Sequence, residues 1–208
     1  TSWITRGMYF VTLFLLSGLI YIVSVFAGTS ATGVLIATNI FAFLVIIYGG
    51  FAMNYVSGIA LWNTAILPIL YVVSGLWGGA SLTLAIALLT GFTRVGVAVE
   101  EWTRLLLIGY MVLLGVYLIS VRYISPAGKI SVRELVRGRW APLLWVMVAG
   151  LGILFPLAVT INSFILGLAT VPALFLFAAI LFELLGDLTM RYLILKAGYY
   201  SPLVPLHL

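Results

Sequence analysis

Glu183, Asp187 and Arg191 lie four apart inside the last long apolar stretch of a 208-residue chain. Spacing of i, i+4 and i+8 sets three ionisable groups along one stripe of a helix, where acid and base can meet. Each charge at the centre of a bilayer costs about 2.5 kcal/mol or more, so such groups pair and face a bundle interior or a wet cavity. Asp187 and Arg191 are placed as an i, i+4 ion pair. Glu183 is then left one turn deeper without a partner on its own helix. A carboxyl so placed can load and release a proton, which is what a relay requires. The alternative is an ion pair that only fixes helix packing, with Arg191 snorkelling towards the interface.

A second constellation joins Tyr48-Gly49-Gly50, Asn54-Tyr55 and Leu61-Trp62-Asn63-Thr64. Two amides, two phenols and an indole near one membrane face could line a pocket for an amphipathic ring compound. A quinone headgroup needs one or two hydrogen bonds to its carbonyls and an apolar slot for its tail. Tyr48 is the best donor, since two glycines beside it leave room; Asn54, Trp62 and Asn63 complete the set. An aromatic belt with helix-capping amides is the competing account. The third constellation, Glu100, Glu101 and Arg104, reads as structural: acids in a first helical turn complement the helix dipole, and Glu100 pairs with Arg104 at i, i+4. Motifs for nucleotides, metals and nucleophile triads are absent.

These residues must be positioned by membrane spans. Hydrophobic residues make up 64% of the chain and charged ones 7%, too few to cover a water-facing exterior. Apolar runs of about 18 residues or more recur, as in transmembrane helices. A β-barrel would alternate polar and apolar at every second residue, and these runs do not. The expected fold class is all-α, a polytopic transmembrane helix bundle. Cysteine is absent and histidine occurs once, at His207. The chain therefore offers no thiolates for an iron–sulfur cluster, no paired imidazoles for a membrane haem and no Cys/His zinc site. A redox centre would be a diffusible carrier or a cofactor held by a partner.

Six spans are expected, at 8–27, 33–56, 65–92, 101–121, 141–162 and 168–196. The third and last exceed the roughly 20 residues of one crossing, which predicts tilt, kinks or projecting ends. Pro68, Pro156 and Pro172 are the kink candidates. Gly75 and Gly79 form a small-xxx-small pair for close backbone approach. Trp62, Trp102, Trp140 and Trp145 fall near span ends, as interfacial anchors do, whereas Trp77 lies inside the third span. The one long connection, 122–140, carries Arg122, Lys129, Arg133, Arg137 and Arg139 against Glu134. Its Ser125-Pro126-Ala127-Gly128 start predicts a turn, and 130–138 a short interfacial helix. Arg6, Arg191 and Lys196 share its side, with only Arg94 and Arg104 opposite, so the positive-inside rule places both termini in the cytoplasm. Docking of anionic lipid or of an acidic partner is the other explanation for this charge. The chain opens on Thr1, and Thr1–Arg6 has the pattern of neither a signal peptide nor a charged leader, so processing or truncation at that end is expected.

Several segments together resemble one family. Tyr48-Gly49-Gly50, the run Leu61-Trp62-Asn63-Thr64-Ala65-Ile66-Leu67-Pro68-Ile69-Leu70, then Ser74-Gly75-Leu76 and Gly79-Ala80 are similar to the junction of the fourth and fifth helices in NrfD/PsrC-type subunits. Glu183, Gly186-Asp187 and Arg191-Tyr192-Leu193-Ile194-Leu195-Lys196-Ala197-Gly198 resemble that family's last helix and tail. Ser2-Trp3-Ile4-Thr5-Arg6-Gly7 looks like the start of its third helix. These are membrane anchor subunits of polysulfide reductase and related molybdopterin oxidoreductases.

The resemblance implies eight helices in two four-helix bundles, with this chain supplying helices three to eight. Residues 1–60 would be two helices of the first, quinone-side bundle, and 61–208 the second bundle with the basic loop 122–140. The family's first helix, which helps to bind quinone, has no counterpart here. Implied partners are a ferredoxin-like iron–sulfur subunit and a molybdopterin (Mo/W) catalytic subunit, along with membrane lipid and no nucleic acid. The implied activity is electron exchange between menaquinone or another quinone and the iron–sulfur subunit, in a prokaryotic cell membrane. Tyr48 matches the family's quinone-contacting tyrosine. In the family the iron–sulfur subunit sits outside, on the face that the charge count assigns to the cytoplasm. The alternative is a scaffolding or proton-translocating subunit without its own quinone site. A small secondary transporter is disfavoured, because the two halves show no inverted repeat.

Overall fold

Within a bilayer, backbone amides have no water to bond to, and helices satisfy them internally. The computed structural model describes residues 2–29, 31–91, 93–167 and 170–200. The helices are α1 (Trp3–Phe26), α2 (Thr32–Asn54), α3 (Ile66–Thr90), α4 (Thr93–Ile124), α5 (Pro126–Arg137), α6 (Phe155–Leu166) and α7 (Ala173–Lys196). A π-helical stretch, Leu143–Leu154, runs directly into α6. Among the described residues, six segments are long and apolar enough to cross a membrane: α1, α2, α3, Val95–Ile124 of α4, Leu143–Leu166 and α7. The chain is an all-α, multi-pass membrane protein. Thr1, Ser30, Phe92, Leu168 and His207 lie outside the described residues, as does the side chain of Arg94.

The boundaries shift where local chemistry overrides hydropathy. Ser2 Oγ accepts the Ile4 N–H at 3.3 Å, so α1 starts earlier than apolar content alone suggests. Helix α4 begins at Thr93, ahead of its acids, so Glu100 and Glu101 lie about two turns in rather than in the first turn. The short helix starts at Pro126 instead of residue 130, because Ser125 Oγ accepts the Gly128 N–H at 3.0 Å and proline suits the first helical position. Pro68 sits in the first turn of α3, where its missing N–H breaks no ladder bond, and Pro172 caps α7 from outside. Neither is a kink. Pro156 acts differently: just before it, Phe155 donates its N–H to Gly150 O, five residues back, in the wide π winding.

Buried residues concentrate on α3, α4, α7 and the fifth span, around Leu67, Trp77, Leu107, Tyr110, Tyr117, Val148 and Leu193. Helix α1 pairs with α2, and its one buried residue is Gly7. Glycine sets the closest crossings. A Cβ at Gly50 would lie 2.6 Å from Pro68 Cα, one at Gly75 2.8 Å from Ile46 Cγ2, and one at Gly186 2.6 Å from Gly152 Cα. Gly79 faces open space, so of the expected small pair only Gly75 serves helix packing.

The segment between α2 and α3 is fastened beneath the bundle. Trp62 Nε1 donates to Ile194 O at 2.8 Å, and the Tyr117 hydroxyl donates to Leu61 O at 2.5 Å. Tyr117 is fully buried. Tyr117→Phe should therefore orphan the Leu61 carbonyl and cost about 1–3 kcal/mol, read as a lower melting temperature in detergent. An unchanged melt would show that this bond does not hold the segment.

Candidate functional site

Helix α7 is brought against the fifth span at the Gly152–Gly186 crossing, and this aims its charged stripe at α3 and α4. Arg191 Nε donates to Asp187 Oδ2 at 2.8 Å, completing the i, i+4 pair. The guanidinium does not turn outward. Its Nη2 donates to Ser74 Oγ of α3 at 2.6 Å, and its Cζ lies 4.7 Å from the Tyr71 ring centroid. Tyr71 in turn donates to Met53 Sδ at 3.2 Å, linking the cluster to α2. Leu70, Tyr71, Ser74, Tyr110, Asp187 and Arg191 also surround a void of about 10 Å³ inside the bundle.

Glu183 lies deeper, by about 12 Å at the rise of 1.5 Å per helical residue. It is 3% exposed and accepts a hydrogen bond from Ser81 Oγ. The partner lacking on its own helix is thus supplied by α3. The Trp77 indole is buried beside this carboxyl and meets the Tyr110 ring at 4.9 Å between centroids, the planes tilted by 32°. Antiparallel α3 and α7 so match Ser74 with Arg191 and Ser81 with Glu183. Together with Trp77 and Tyr110 they form a polar ladder through an otherwise apolar core.

The upper end of the ladder opens into a groove of about 400 Å³, lined by Val45, Ile46, Tyr48, Gly49, Tyr71, Gly75 and Arg191. Here α2, α3 and α7 bring together Tyr48 and Arg191, which come from opposite ends of the chain. The Tyr48 ring lies on Gly7 of α1, where any Cβ would overlap it. Its hydroxyl has no hydrogen-bond partner among the described residues.

The other candidates from the α2–α3 junction lie elsewhere. Asn54, the last residue of α2, buries its Oδ1 without a partner. Trp62 spends its only donor on Ile194 O, and Asn63 is exposed. Glu100, 4% exposed, pairs with Arg104 at 2.9 Å, and the Arg104 guanidinium lies 4.7 Å from the centre of the Phe164 ring. Among the described residues no cluster of His, Cys, Asp or Glu is arranged to hold a metal ion. Sequence patterning misses Tyr71, Ser74, Trp77, Ser81 and Tyr110. Their only signal is polar atoms inside apolar spans, and Ser74 and Ser81 read there as small packing residues.

The family model described as polysulphide reductase, NrfD matches residues 2–202. A protein named "Protein NrfD homolog" from Haemophilus influenzae is 24% identical over 155 residues, covering 73% of this chain and 48% of the relative. The chain thus spans about half the length of that curated relative. No solved structure matches it. With nearly every residue inside the family match, the chain belongs to the polysulphide reductase NrfD family.

Proposed function

We propose that this chain is an integral membrane anchor subunit that exchanges electrons between the quinone pool and a peripheral iron–sulfur subunit serving a molybdopterin enzyme. One observation carries the proposal: Tyr48 and Arg191 share a groove whose inner wall continues into the ladder ending at Glu183. Two hydrogen-bond donors over a small apolar floor suit a quinone headgroup, which is here a diffusible substrate. The Tyr48 hydroxyl would donate to one carbonyl oxygen. Arg191, held by Asp187 and Ser74, would stabilise negative charge arising on the headgroup during reduction. Glu183 would take or give the proton that accompanies electron transfer, with Tyr110 and Asp187 between it and the groove. With no cysteine and one histidine the chain lacks the usual ligands of an iron–sulfur cluster or bis-histidine haem, and in this reading the electrons pass to a partner.

The alternative, a scaffold or proton-translocating subunit without a quinone site, draws support from Trp62 and Asn63, which stand away from the groove. Tyr48→Phe separates the two. Removing one donor to a bound carbonyl should raise the quinol KM of the intact complex about fivefold to tenfold, equivalent to about 1–1.4 kcal/mol. Steady-state kinetics with native quinol reads the effect. Unchanged kinetics, with the complex still assembled, would favour the scaffold.

A further inference from the structure

The basic connection after α4 has no part in this function. It folds back as α5, an amphipathic helix that buries Ala127, Gly128, Ser131, Val132 and Leu135 against the bundle. Between the end of α4 and α5 opens a cleft of about 170 Å³. Arg122, Lys129, Arg133 and Arg137 line it, with Val132 and Val136 as an apolar floor. All four basic residues are exposed, and neither ion pair among the described residues involves them. Four like charges around one small space repel one another until an anion enters.

The cleft also lies at a definite depth. Arg122 is in the last turn of the span Val95–Ile124, beside the outward-facing Tyr123 and Ile124. On its other flank Trp145, exposed near the start of the fifth span, donates its indole N–H to Val136 O at 3.0 Å. Aromatic rings that bracket a basic cluster mark the headgroup layer of a bilayer. We propose that this cleft binds the phosphate of an anionic phospholipid. The guanidinium groups of Arg122, Arg133 and Arg137 and the Lys129 ammonium contact the phosphate oxygens, and Val132 and Val136 support the glycerol. The exposed apolar side chains Ile124 and Ile130, which follow Arg122 and Lys129 along the chain, favour a lipid over an acidic protein.

The test uses the full chain in mild detergent, titrated with phosphatidylglycerol or phosphatidylcholine and followed by native mass spectrometry. Phosphatidylglycerol should be retained in preference, and inorganic phosphate at equal concentration should not displace it. Arg133→Gln with Arg137→Gln should weaken phosphatidylglycerol binding about tenfold to thirtyfold, since each basic residue near a membrane surface contributes about 1 kcal/mol. Arg122→Gln with Lys129→Gln should do the same should the first pair fail to fold, whereas Lys196→Gln should change nothing. Equal retention of both lipids, or variants that bind like the wild type, would overturn the proposal. Displacement by inorganic phosphate would assign the cleft to a free anion instead. Unchanged lipid binding with loss of a co-purifying subunit would assign it to an acidic protein.

Discussion

Glu183→Gln is expected to lower quinol-linked turnover of the assembled complex by about tenfold or more, the scale on which a positioned proton donor or acceptor acts. The substitution keeps side-chain shape and leaves a carbonyl oxygen to accept the Ser81 hydroxyl, so the α3–α7 contact survives. What it removes is the ability to change charge at a site 3% exposed in the middle of a span. Assembly, measured by co-purification of the partner subunits, and the melting temperature should stay near wild type. Ser81→Ala offers a contrast, because it removes the hydrogen bond and keeps the titratable group. It should cost stability on the order of 1 kcal/mol with a smaller loss of turnover. Full turnover in Glu183→Gln would reject a proton role and leave Glu183 as a packing residue.

Gly186→Val is expected to damage the fold more than any single change in the groove. Its Cβ would lie 2.6 Å from Gly152 Cα and 3.2 Å from Met147 O, so it meets backbone that no rotamer change can move. Opening the crossing costs about 3 kcal/mol or more, at the upper end for overpacked sites. For a chain of this size that corresponds to a fall in melting temperature of about 6–12 °C. Loss of a monodisperse peak in detergent chromatography is the companion readout. The damage should spread to the site, since Gly186 lies between Glu183 and Asp187 and fixes how far the stripe reaches into the core. Gly79→Ala is the control, because nothing lies within 4 Å of the added methyl group. It should be neutral or slightly stabilising, as alanine favours a helix interior over glycine. A melt for Gly186→Val equal to that of Gly79→Ala would show that the crossing is looser than its geometry indicates.

Six spans, the all-helical class and the Asp187–Arg191 pair were legible in the residues alone. Bilayer thickness, internal backbone satisfaction and i, i+4 geometry are local constraints that periodicity and spacing record directly. The start of α4 was not legible from hydropathy. Glu100 and Arg104 break the apolar run, yet together they form a pair that the bundle can bury. The π winding before Pro156 was equally hidden, because proline signals a lost bond without saying how the preceding turn will adjust.

The site itself was decided between helices. Sequence spacing says that Glu183, Asp187 and Arg191 share a face, but not that Ser81 and Ser74 wait opposite them. It places Trp62 near Tyr48 along the chain, whereas the fold turns the indole to Ile194 and brings Arg191 to Tyr48 instead. These outcomes depend on the register and rotation of each helix against its neighbours. That register is set at a few close contacts, Gly50 on Pro68, Gly75 on Ile46 and Gly152 on Gly186, where fractions of an ångström decide which side chains meet.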